Sequence, residues 1–179
     1  GGWNYYDIDR ADFVPATPPP PPLPVPVTLS DTQATLAART LMANLVADYG
    51  KVTWSGQMEP VEATNVFNIT GLRPIIVSAD FMDYSPSRIY YGANPGNLTE
   101  RIIALDNLGH ALSMCWHWNA PTNLLNTPDH EWWRGFYTHA TTFDVAAALA
   151  NTNSTEYLLL LRDMDAIAVQ LKKFSSNNI

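Results

Sequence analysis

Apolar positions change their period several times along the chain, and each change marks an element. Ser30 or Asp31 is placed to cap a helix carrying Leu41, Leu45 and Tyr49 on one stripe, with Gly50 at its C-terminal boundary. A short strand is predicted over Val52–Gly56, and a helix from Pro60, a favourable first position, to Gly71. Pro74–Asp80 is a nearly continuous apolar run and predicts a buried strand. The next helix is predicted over Leu98–Leu108, with Leu98, Ile102, Leu105 and Leu108 on one face and Gly109 at its end. His110–Trp116 predicts a third buried strand, and Asn119–Thr141 a long irregular stretch. Thr141 or Thr142 is the expected cap of a short helix ending at Ala150. Ser154 or Thr155 is the expected cap of a helix over Glu156–Phe174, with Leu160, Met164, Ile167 and Leu171 as its buried stripe. One helix followed by three βα units implies an α/β fold with a parallel sheet. The units run to roughly forty residues each, whereas a closed (β/α)8 barrel takes about 250 residues, so three units leave the sheet unfinished, as a partial (β/α)8 TIM barrel is.

The N-terminal region has a different character. Seven of the eleven residues 17–27 are proline, which fixes φ and removes the backbone donor. An extended polyproline spacer is expected there. Ahead of it, Tyr6 and Ile8 alternate with Asp7 and Asp9, which reads either as a disordered tail or as the last strand of a β-domain. The expected organisation is therefore 1–16 a domain end, 17–27 a linker, and 28–179 the N-terminal part of an α/β domain.

Composition narrows the partners. Ten Lys and Arg face seventeen Asp and Glu, a net charge of -7, and no basic stripe exists for nucleic acid or an anionic membrane. Charged residues make up 15% and aromatics 11%, with six Trp, a balance suited to neutral ligands. Sequons at Asn68, Asn97 and Asn153 (N-I-T, N-L-T, N-S-T) point to an extracellular location. The opening residues carry neither an initiator Met nor an apolar leader, so the expectation is a processed start or one inside a longer protein. A single cysteine, Cys115, excludes an intrachain disulfide, and its place in a strand predicted as buried argues against a nucleophilic role.

Chemistry is expected at the C-terminal ends of the strands, where parallel barrels carry their sites. The carboxylates there are Glu59, Asp80 and Asp83, of which Asp83 is the most attractive, with no partner identified. His117 leaves the third strand between Trp116 and Trp118. Indole faces pack against pyranose C–H bonds while an imidazole hydrogen-bonds a hydroxyl, so this trio suits a sugar; a core histidine among core tryptophans is the other reading. Trp132 and Trp133 either extend such a platform or pack their own loop down. His110, His117, His130 and His139 lack a helical two-ligand spacing, and H-E-W-W-R lacks the second histidine of HExxH, so no metal site is expected. No G-x-G-x-x-G or P-loop follows a strand, and no cofactor is expected.

The runs Y-G-K-V-T-W-S-G-Q, R-P-I-I-V-S-A-D-F-M-D-Y-S-P-S-R and W-H-W-N-A-P resemble glycoside hydrolase family 26, the β-mannanases. The stretches W-W-R-G-F-Y-T-H-A-T-T-F-D-V-A-A-A-L and Y-L-L-L-L-R-D-M-D-A-I-A-V-Q-L-K-K-F are similar to its fungal branch, and the likeness runs in order over about residues 30–174. The opening G-G-W-N-Y-Y-D-I-D resembles the last strand of a family 35 carbohydrate-binding module. The resemblance implies a (β/α)8 barrel that cleaves β-1,4-mannosidic bonds with retention. It also implies an acid/base Glu after a His at the end of strand four and a nucleophilic Glu at the end of strand seven. No L-H-E segment occurs in this sequence, so neither catalytic carboxylate of the family is identified here. The resemblance also implies binding residues: His117 corresponds to the family's strand-three histidine that contacts the sugar, with Trp118 beside it, and Asp83, Trp132 and Trp133 correspond to loop positions lining the glycone side. The expected partner is β-mannan or galactomannan, for a secreted endo-mannanase that is a monomer at full length. The expectation for the chain alone is inactivity, and a non-catalytic mannan-binding protein is the alternative.

Overall fold

A computed structural model of the protein describes residues 23–174; the strand expected within 1–16 and most of the proline run lie outside the described residues. Helix α1 spans Leu36–Asp48, and its cap is the Thr35 hydroxyl, which accepts from the Ala38 N–H at 3.1 Å. This corrects the expected start at Ser30 or Asp31. Asp31 instead accepts from the Gln33 N–H at 2.8 Å, so its side chain closes a turn ahead of the helix. Strand β1 covers Gly56–Met58 rather than Val52–Gly56, because the rungs to the next strand begin at Gly56. Trp54, in the lead-in, donates its indole N–H to Asp48 at 2.7 Å and so ties that segment to α1.

Helix α2 (Pro60–Thr70) starts at proline and stops at Gly71, whose φ of 71° suits a residue without Cβ. Strand β2 (Ile76–Asp80) buries Val77 and Ala79 completely while its alternate residues are half-buried. A one-turn helix α3 (Pro86–Ile89) follows, then α4 (Leu98–Asp106), which buries Ile102 and Leu105; Leu108 falls beyond its end and is exposed. Strand β3 is Ala111–Cys115. It is half-exposed rather than buried, because among the described residues it forms an edge of the sheet.

Asp144, not Thr141 or Thr142, caps α5 (Val145–Ala150), accepting from the Ala147 N–H at 2.9 Å. Thr141 is drawn away to the Asn123 carbonyl. Ser154 caps α6 (Thr155–Leu171) as expected, and a short 3-10 turn carries the chain on to Phe174. The α6 stripe is rotated from the expected one. Leu160, Asp163 and Ile167 are buried, whereas Met164 and Leu171 face out.

The three strands are parallel in the order β1-β2-β3, with Met58 beside Ser78 and Asp80 beside Cys115. Helices α2 and α4 cover one face, and the core lies there, with Ile167 of α6 joining Val77, Ala79, Phe81, Ile102 and Leu105. Leu112, Met114 and Trp116 extend it from β3. The period of two then sends Ser78, Asp80, Ser113, Cys115 and His117 to the opposite face. That alternation positions the site.

Candidate functional site

Asp80 ends β2 and His117 follows β3 by two residues. Their backbones are in register through the Asp80–Cys115 pair, so both side chains rise from one face at the C-terminal edge. The His117 N–H donates to Asp80 Oδ1 at 3.2 Å, and the ring Nδ1 contacts Asp80 Oδ2. An ionised carboxylate only accepts, so Nδ1 carries the proton, the imidazole is fixed in orientation, and Nε2 is left for a ligand. The His117 side chain is 54% exposed, which removes it from the core, and its ring stands 5.3 Å from that of Phe136.

Two other strand-end acids flank this pair. Glu59 follows β1 at φ 69°, a left-handed conformation uncommon for a residue with Cβ. It shares a cleft of about 340 Å³ with Met58, Asp80, Met82, Asp83 and Arg101. Burial, reinforced by the charges of Asp80 and Asp83 and opposed by Arg101, pushes its carboxyl above the ordinary value. Asp83, the acid favoured by sequence, is engaged: its Oδ1 accepts from Arg88 Nε at 2.9 Å. Cys115 is exposed, correcting the expectation of a buried thiol. Partial desolvation of its sulfur, with the negative charges of Asp80 and Glu59, holds that thiol above its usual range.

Arg88 organises the aromatic loop. It is almost wholly buried and donates through Nη1 to the Trp133 carbonyl at 3.1 Å and to Asn119 Oδ1 at 3.4 Å. Its guanidinium also lies 5.1 Å from the Trp132 ring centre, which stacks on Tyr91 at 5.9 Å and 10°. Trp133 meets Trp132 edge-on and is half exposed. The two indoles thus divide the two readings between them: Trp132 packs the loop down and Trp133 remains available. Trp116 donates to Ser85 Oγ at 2.9 Å and packs on the core, while Trp118 keeps an exposed face.

The structure therefore joins Asp80 to His117 on one side and to Glu59 and Asp83 in one cleft on the other, while Arg88 ties Asp83 to the loop of Trp132 and Trp133. Sequence reasoning passed over Arg88, Asn119, Tyr91 and Phe136. Only Arg88 left a signal, as a lone cation in a nearly uncharged run five residues after Asp83. The expectation of no metal site considered helical spacing alone; across the strands, donor atoms of Asp80, Cys115 and His117 all lie within 4.8 Å of one another.

Residues 30–179 match glycosyl hydrolase family 26. Over 171 residues the chain is 45% identical to a mannan endo-1,4-beta-mannosidase of Thermothelomyces thermophilus, covering 96% of this chain and 35% of that protein. A Podospora anserina GH26-CBM35 beta-(1,4)-mannanase superposes with a TM-score of 0.81 at 44% identity, over 88% of this chain and 35% of the other. A ruminal GH26 endo-beta-1,4-mannanase superposes with a TM-score of 0.67 at 27% identity, over 83% and 33%. The chain spans about a third of the length of the relatives it matches.

Proposed function

The chain belongs to glycosyl hydrolase family 26, and its parallel sheet is part of a (β/α)8 barrel; from that premise we propose that it forms the mannan-binding portion of a secreted, retaining endo-β-1,4-mannanase. The observation that carries this reading is the His117–Asp80 pair. A carboxylate that fixes an imidazole at a strand end, with that ring exposed beside Phe136 and with Trp118, next in the chain, keeping an exposed face, is arranged to bind a neutral sugar. The hydroxyl bonds Nε2 as the pyranose covers indole, and neither contact needs net charge.

Retaining hydrolysis requires two carboxyl groups about 5 Å apart, one as acid/base and one as nucleophile. The strand-end acids here have other work. Asp80 holds His117, Asp83 holds Arg88, and Glu59 stands on a backbone turn at the mouth of α2. The catalytic pair of this reading is supplied by strands other than the three described. Residues 1–27 are read as the end of a family 35-like module and its linker. The three sequon asparagines, Asn68, Asn97 and Asn153, are all exposed, which supports an extracellular protein.

The test is affinity electrophoresis of the 179-residue chain in a galactomannan gel, paired with an assay for reducing sugar. The expected result is retardation, lost in His117→Ala, without sugar release. Unchanged mobility of the native chain, or sugar release by it, overturns the reading.

A further inference from the structure

We propose that Asp80, Cys115 and His117 form a binding site for a divalent transition-metal ion of the zinc class. The sheet itself assembles the three donors. Cys115 is the last residue of β3 and His117 lies two residues beyond it on the same face, and Asp80 is the rung partner of Cys115 on β2. Carboxylate, thiolate and imidazole are a borderline-soft set that suits Zn²⁺ or Co²⁺ over Mg²⁺ or Ca²⁺. The donor atoms lie within 4.8 Å of one another, so small side-chain rotations bring them to bond lengths of about 2.0–2.3 Å around one ion. Cys115 and His117 are exposed, which gives the ion a path in, and Glu59 adds negative charge to the same edge.

The ion takes the place of the hydrogen bond between His117 and Asp80. Nδ1, an Asp80 oxygen and Sγ each form one bond to it. The imidazole proton moves to Nε2, and the thiol proton leaves to solvent. A fourth position stays open for water or another small ligand. Such an ion cross-links the ends of β2 and β3. The site rests on the placement of the three donors and does not depend on sugar binding.

Co²⁺ titration of the dilute 179-residue chain tests it, because one cysteine makes the spectrum unambiguous. A thiolate-to-cobalt charge-transfer band in the near ultraviolet is expected, saturating at one ion per chain and displaced by Zn²⁺. Cys115→Ser abolishes the band, and His117→Ala and Asp80→Asn each weaken Co²⁺ affinity at least about tenfold. Circular dichroism identifies any variant that fails to fold, and Asp80→Asn, nearly isosteric, serves if His117→Ala does. Absence of the band, or a band whose midpoint neither variant moves, overturns the proposal.

Discussion

Glu59 carries two local costs at once, a left-handed backbone and a carboxyl shifted upward by burial and by Asp80 and Asp83. A raised folded-state value means that the native chain holds the proton more tightly than the unfolded one. The ionised side chain therefore costs stability at neutral pH, and that cost fades as the pH falls through the shifted value toward the ordinary 4.5. Glu59→Gln should raise Tm at pH 7, with the gain closing in acid; thermal melts at both ends of that range check it, and a pH-independent difference would refute it. Gly135 is a second single-residue constraint. A Cβ there would stand 2.5 Å from both Asn119 Oδ1 and Leu124 Cδ2, and Asn119 is fully buried against Arg88. Gly135→Ala is expected to cost about 1–3 kcal/mol in urea unfolding. His117 was legible as a candidate because a histidine between tryptophans at a strand exit is chemically unusual. Asp80 as its orienting partner was not, since the two are 37 positions apart and only strand register joins them.

At the scale of elements, local chemistry predicted starts and stops where one side chain had no competitor. Pro60, Gly71 and Ser154 do what their residue types favour. Ser154→Ala should cost about 1 kcal/mol and lower Tm, because it leaves the Tyr157 N–H without its hydroxyl at 3.1 Å. An unchanged Tm in a differential scanning experiment would show that water replaces the cap. Where several cap residues stood close together, the choice passed to tertiary contacts. Thr35 won over Ser30 and Asp31, and Asp144 over Thr141, whose hydroxyl is taken by the Asn123 carbonyl. The α6 stripe is rotated as well: Asp163, bonded to its chain neighbour Arg162, lies on the buried side with Leu160 and Ile167.

For the whole molecule, the sheet has helices packed on one side and its β3 edge half exposed. Leu36, Ile69, Leu72 and Tyr90 are each more than two-thirds exposed. The 179-residue chain is expected to self-associate, with a sedimentation coefficient that rises with concentration; a monodisperse monomer across that range would contradict this. The sequence by itself determined the order of the main elements, the parallel α/β class and the family. Those follow from period, turn residues and motifs, which are short-range properties. Only the tertiary structure decided which acid serves His117, that Asp83 is held by a buried arginine, which of two neighbouring tryptophans stays exposed, and that a thiol joins the site. Each of these depends on strand register and on packing between residues distant in the chain, and no local pattern encodes a distance between such residues.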